Sequence, residues 1–332
     1  MLAILSKKHF NLGVILIGLA TTVLHVFSFD TATDTSLWRT SGPLALKLYN
    51  ILGDQFFSNT ITGFTFSMIL ITFQLVLVYR IMAKSKKLEK YNMQVTWIYA
   101  WLIHLFPEWS SLSPVLIATS LLLFVLDRIY RLVDFQKNNF LFNASSLLGI
   151  AFLFWHPTIV IILFLLIFLF QYNEINLKRV SILLLSFSIP VIWYNVYNTY
   201  SLEVSESLFN FNIFHIHELD RHILNNTQWA SLSILLVYVT VGLLNAWSLS
   251  NQTSKNSRLF INSLLVLSII VGLGFTLSIN ALIYSFPMTL FPASFFIILF
   301  LNNFKRSKHS ELAHIILLLS ILFNFAYEII SK

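Results

Sequence analysis

The sequence predicts an all-α protein: a polytopic bundle of about eleven transmembrane helices that forms a single integral membrane domain over residues 1–332. Three observations lead there. Hydrophobic residues make up 57% of the chain and charged residues only 11%, whereas a water-facing domain usually carries roughly 25% charged residues. Long apolar runs recur along the whole length, so no stretch is left over for a soluble domain of ordinary size. The basic residues gather in short clusters between those runs, the pattern of a topology signal rather than of a nucleic-acid surface, despite a net charge of +7.

The first run, 11–28, follows Lys7 and Lys8 and ends at Ser28 and Phe29 without the small-residue pattern of a cleavage site, so it reads as a retained first span. A loop over about 29–59 comes next. Its first part is polar, and its continuation at about 43–52 opens with Pro43 and has the apolar spacing of a short helix lying along a membrane interface. The remaining runs are 60–82, 93–106, 112–127, 139–155, 158–172, 180–200, 228–249, 260–279, 281–301 and 312–330. Those at 93–106 and 158–172 are short. Only His156 and Pro157 separate 139–155 from 158–172, which leaves a re-entrant hairpin open as an alternative to two crossings. A second long loop covers about 201–227.

Placing the N-terminus in the cytoplasm puts every Lys and Arg except Arg39, Lys47, Arg221 and Lys332 on the inner side. A bias this strong in short loops fixes orientation. The same threading leaves Asp30, Asp34, Asp54, Glu108, Glu203, Glu206, Glu218, Asp220 and Glu328 outside, so the outer face is acidic and any chemistry is expected there.

Asp30 and Asp34 are four residues apart just past the first span. On a continued helix they would share a face and suit a cation site or a general acid and base; equally, they are interfacial carboxylates that cap the chain's exit from the membrane. Arg39 is close by in sequence, able to neutralise a phosphate or to pair with Asp34. His215, His217, Glu218, Asp220 and His222 bring imidazoles and carboxylates within eight residues, a composition suited to a divalent metal ion, although no fixed metal motif is matched and a polar surface segment has the same composition. His104, Asn143, Asn195, Asn198 and His314 fall in or near apolar runs and are expected to hydrogen-bond between helices. No run carries an acid near its centre and no broken-helix repeat is present, which argues against ion-coupled transport. The absence of cysteine removes disulfides and thiolate chemistry, and the absence of Walker, GxSxG and HExxH motifs removes support for ATPase, serine hydrolase and zincin activities.

The order of these features resembles the GT-C class of membrane glycosyltransferases, which use polyprenyl-phosphate-linked sugars. Asp30 and the 43–52 segment stand where that class has an essential outer-loop Asp and a juxtamembrane helix. The stretch from Asn143 to Pro157, with Gly149 and His156, resembles a span that begins with small residues and ends at an outer polar turn. Residues 189–195, with Pro190, Trp193, Tyr194 and Asn195, resemble the end of a later span, and Tyr284 to Pro292 echoes an Arg-Tyr-x-x-Pro helix start. Two departures stand out: the acidic pair is not adjacent, and Ile283 occupies the place of the Arg. The chain also looks like an uncharacterised bacterial family of multi-pass membrane proteins of unknown function, above all over 140–195.

The resemblance implies a multi-pass protein of the bacterial cytoplasmic (inner) membrane. It implies Asp30, with Asp34, as base or metal ligand for an acceptor hydroxyl, and Arg39, Arg221 and His156 as substrate-binding residues for a lipid-linked sugar phosphate. The expected partners are membrane lipids, a polyprenyl-phosphate sugar and other envelope membrane proteins, with no nucleic acid. A non-catalytic scaffold or subunit of an envelope complex stands as the alternative, followed by a lipid or small-molecule transporter.

Overall fold

The computed structural model describes residues 41–53, 60–84, 91–200, 226–253, 255–276 and 286–302, together with isolated positions between 18 and 56 and between 315 and 319. The described residues are helical, with no strand among them. The helices are α1 (Pro43–Leu52), α2 (Thr60–Ala83), α3 (Asn92–Leu102), α4 (Pro107–Ser110), α5 (Pro114–Phe135), α6 (Asn138–Phe154), α7 (Ile161–Gln171), α8 (Leu177–Tyr200), α9 (Asn226–Gln252), α10 (Lys255–Thr276) and α11 (Leu290–Asn302). Short 3₁₀ turns at His156–Val160 and Phe286–Thr289 lead into α7 and α11.

Among the described residues three helices, Ile61–Ala83, Leu177–Asn198 and Trp229–Asn251, are long and apolar enough to cross a membrane. Two of the expected crossings are shorter than the sequence suggested. Helices α3 and α7 have 11 residues each, or about 16 Å at 1.5 Å per residue, roughly half of a hydrocarbon layer. Helix α7 gains length from the 3₁₀ turn before it, and that turn, with Pro157 at its start, is the polar break anticipated between 155 and 158.

The helix ends follow from local chemistry. Ser113 caps α5 by accepting a hydrogen bond from the Leu116 amide at 3.2 Å, and Pro114 supplies the first helical position, where its missing N–H costs nothing. At the far end, Gln136 adopts a left-handed conformation at φ 53° and its amide closes on the Leu132 carbonyl at 2.7 Å, turning the chain into α6.

Packing runs from α8 onto α6, from α6 onto α5, from α5 to α2, then through α3, α11, α9 and α10 to α7. Helix α11 is buried along nearly its whole length. Two glycines allow the tightest contacts. Gly149 of α6 faces the Phe187 carbonyl and the Pro190 ring of α8, and Gly242 of α9 faces the Phe296 carbonyl of α11; a Cβ at either position would overlap backbone. Small residues let helix backbones meet in this way where lipid supplies no hydrophobic drive for association.

Polar side chains stitch the same helices. Tyr99 of α3 donates to Gln74 Oε1 at 2.7 Å, while the Gln74 amide donates to Ser120 Oγ at 2.8 Å and to the Leu116 carbonyl at 3.1 Å. Tyr130 of α5 meets Ser263 of α10 at 2.6 Å.

The largest departure from the sequence reading is Asp127. No acid was expected near the centre of a run, yet α5 continues to Phe135, and Asp127, in the body of that helix, is fully buried. Three cations surround it: Lys84 at 2.9 Å and Arg80 at 3.5 Å from α2 and its end, and Arg131 at 3.1 Å one turn along α5. Lys84 also donates to the Asp127 carbonyl. Neither carboxylate oxygen has a hydrogen bond in addition, so charge balance is what holds the group there. Burial pulls the Lys84 ammonium below its usual range, and its contact with Asp127 works in the opposite direction.

Two stability predictions follow from these contacts. Replacing Asp127 with Ala leaves three clustered cations without their counter-charge, and removing one partner of a buried pair costs about 3–5 kcal/mol; the lower end is expected because Arg80 is 42% exposed. Thermal unfolding in detergent should show a large drop in Tm, and an unchanged Tm would mean that the cluster is not coupled to folding. Gly242→Ala should destabilise by about 1–3 kcal/mol through overpacking, whereas Gly272→Ala on α10, with open space around it, should be neutral or slightly stabilising.

Candidate functional site

Most residues singled out from the sequence lie outside the described residues: Asp30, Asp34, Arg39, Arg221, His215, His217, Glu218 and His222. Tyr284 and His314 do too. His156 is described. It opens the 3₁₀ turn after α6, partly buried, with its ring edge-to-face against Phe152 at 5.1 Å.

Around that turn, three separate parts of the chain meet. The Gly42 amide donates to the Phe154 carbonyl at 2.9 Å, two residues before His156. A Cβ on Gly42 would overlap the Leu153 carbonyl, so only glycine lets α1 begin this close to the end of α6. Tyr194 of α8 donates to the Pro43 carbonyl at 2.9 Å. Trp38 is buried with Ala45, Tyr49 and Leu112, and its indole N–H donates to the Leu112 carbonyl at 3.3 Å. Helix α1 is therefore fastened at its start to α6 and α8, and packed along one side on the segment that leads into α5.

Lys47 extends from α1 toward α8. Its ammonium donates to Asn198 Oδ1 at 3.2 Å and sits 3.8 Å from the centre of the Tyr197 ring. Both partners are uncharged. Among the described residues nothing neutralises this cation, in contrast to Arg179, which is paired with Glu174. Sequence reasoning assigned Lys47 no role; its only signal was its place among the four basic residues expected outside.

The polar residues in the runs behave differently from one another. Asn198 does bond between helices, through Lys47. Asn143 is exposed. His104 bonds within its own segment, from Nδ1 to the Ala100 carbonyl at 2.7 Å. Among the described residues no three His, Asp or Glu side chains converge as a metal-ligand set. A small cavity lies deeper between helices, lined by Tyr99, Thr119, Leu123, Leu267, Met288 and Phe291 among others. The Thr119 hydroxyl, buried there, has no hydrogen-bond partner.

Comparison with known protein families, with characterised proteins and with solved structures finds no match. What the fold itself defines is a class: a helical membrane protein in which, among the described residues, three helices are long and apolar enough to span the bilayer.

The junction can be tested through its glycine. Gly42→Val should force α1 away from α6, lower Tm and raise the reactivity of a cysteine introduced at Tyr49 or Ala45, both buried in the intact packing. Unchanged labelling would show that α1 does not depend on this close approach.

Proposed function

We propose that the chain is a multi-pass protein of the bacterial inner membrane, with about eleven crossings and its N-terminus inside, that acts as a GT-C-like glycosyltransferase on a polyprenyl-phosphate sugar at the outer face. The observation that carries this reading is Lys47. It is a cation without a counter-charge among the described residues, held beside Tyr197 and Asn198 on a short helix that packs near the His156 turn.

In this reading the lipid phosphate lies against Lys47, with Arg39 and Arg221 as further cations and His156 lining the cleft. A cation beside the leaving phosphate stabilises charge as the sugar bond breaks. Asp30, with Asp34, takes the proton of the acceptor hydroxyl or holds a divalent metal that does so. Support for placing Asp30 at this end comes from its sequence neighbours on either side. His25 packs against Ser67, near the start of α2, and against His104, just past α3, while Trp38 packs against Leu112 at the approach to α5.

Two substitutions test the reading together. Asp30→Asn should abolish transfer from a polyprenyl-phosphate sugar without reducing folded protein. Lys47→Met should raise KM for the donor by roughly tenfold or more, the worth of a charge-assisted hydrogen bond. Transfer indifferent to both would end this assignment.

The orientation is tested separately: reporters fused in the basic segment at 84–91 should report the cytoplasm, and an external signal there would reverse the proposed site's compartment. A second reading, a non-catalytic subunit of an envelope complex, is favoured by α8. That helix exposes Leu177 at 85% and Trp193 at 74%, a face open to lipid or to a partner helix. A stoichiometric partner that co-purifies, combined with indifference to Asp30→Asn, would select it.

A further inference from the structure

The buried carboxylate of Asp127 is over-balanced by its neighbours. Arg80, Lys84 and Arg131 all lie within 3.5 Å of its oxygens, so three positive charges share one negative partner. Asp134, exposed near the end of α5, acts on Lys84 but forms no ion pair among the described residues. Even with both acids counted, positive charge is left over here. Arg80 and Arg131 each turn one nitrogen to Asp127 and have no other described partner, although a guanidinium carries five N–H donors. Their side chains are 42% and 29% exposed, so neither is sealed inside the bundle. Arg128 adds a further cation, one turn before Arg131 on the same face of α5. Its guanidinium lies 4.6 Å from the centre of the Phe124 ring, and its buried Nε has no hydrogen-bond partner.

The helix faces that lead up to these cations are apolar and open. On α2, Ile69, Phe73, Val76 and Arg80 recur at helical spacing, which sets them in one row along the helix. The three apolar members are exposed. Phe73 meets Phe124 of α5 with ring centres 6.1 Å apart, so this row adjoins the face of α5 that carries Arg128 and Arg131. The two faces form one surface, apolar along the helices for about 16 Å and cationic at its end. That end is opposite the Gly42 junction, because α6 starts just after α5 and runs back to Phe154, where α1 begins.

We propose that this surface binds one anionic phospholipid, with its hydrocarbon along Ile69, Phe73, Val76 and Phe124 and its phosphate against Arg80, Arg128 and Arg131. The unbalanced charge selects an anion, and guanidinium groups suit phosphate because their paired N–H donors match its oxygens. The apolar row selects an anion that carries hydrocarbon. Inorganic phosphate would leave that row uncovered, and a zwitterionic lipid would bring a cation of its own to a site already rich in them. Basic pockets between membrane helices are recurrent sites for anionic headgroups. The inference does not depend on the glycosyltransferase reading, whose site is placed at the other end of the bundle.

The test uses the purified full-length chain, stripped of lipid in a neutral detergent. It is titrated separately with phosphatidylglycerol, with phosphatidylcholine of the same chain length and with inorganic phosphate. Native mass spectrometry counts bound lipid, and Tm reports stabilisation. About one phosphatidylglycerol per chain should bind and raise Tm, whereas the other two at equal concentration should leave it unchanged. Arg128→Gln, which leaves the Asp127 contacts in place, should weaken binding by roughly fivefold, and Arg80→Gln by a similar factor. Lys137→Gln and Lys178→Gln, at exposed lysines near the same end, should leave it intact. If Arg80→Gln fails to fold, Arg128→Gln decides. Equal binding of phosphatidylcholine, a Tm rise with inorganic phosphate alone, binding indifferent to the arginine variants or lowered equally by the lysine variants, or no binding at all would each overturn the proposal.

Discussion

A chain in which 57% of residues are hydrophobic must settle its polar groups internally, because the apolar surroundings of its helices offer them no partners. Asp127 shows the constraint at its sharpest. An ionised carboxylate with no exposed surface is tolerated only because α2 brings Arg80 and Lys84 to it and α5 adds Arg131. The same rule governs Gln74, whose side-chain amide is satisfied by Tyr99, Ser120 and the Leu116 carbonyl, and Tyr130, which reaches Ser263. These contacts join α2, α3, α5 and α10, so polar pairing and glycine-mediated close approach together decide which helices are neighbours. Hydrophobicity decides only that helices form.

That division explains what could be read from the sequence. Length and apolarity sufficed for α2, expected at 60–82 and found at Thr60–Ala83, and for α6, expected at 139–155 and found at Asn138–Phe154. The helix at Pro43–Leu52 was legible from its proline and its spacing. The lengths of α3 and α7 were not, because an apolar run of about fifteen residues does not say whether the whole of it is helical or turns early, as at His104 and at the 156–160 turn. Asp127 was missed for a different reason. Its partners on α2 lie more than forty residues away in sequence, and nothing in one dimension marks an aspartate in the body of a helix as neutralised rather than solvated.

At the candidate site, two of the segments singled out from the sequence meet. His156 and the 43–52 helix lie close together through the contacts of Gly42, Phe154 and Pro43 with Tyr194. The carboxylates and histidines singled out in the sequence, Asp30, Asp34 and the 215–222 cluster, lie outside the described residues. Lys47 drew no attention as one lysine in an amphipathic segment. Its significance comes from a partner 151 residues away, Asn198, and from the absence of a described carboxylate beside it. His104 was legible as a polar group in an apolar run, but neither its bond to the Ala100 carbonyl nor the edge-to-face contact of its ring with His25 could be read in one dimension.

The central claim, that the exposed apolar faces are solvated by lipid, is open to direct measurement. The chain has no cysteine, so a single introduced cysteine can carry each nitroxide label without competition from native thiols. Labels at Leu185 on α8, Leu244 on α9 and Ile69 on α2, all exposed, should be relaxed strongly by oxygen and weakly by a water-soluble nickel complex when the protein is in bilayers. Strong relaxation by the nickel complex at these three positions would place them in water and contradict a membrane-spanning fold.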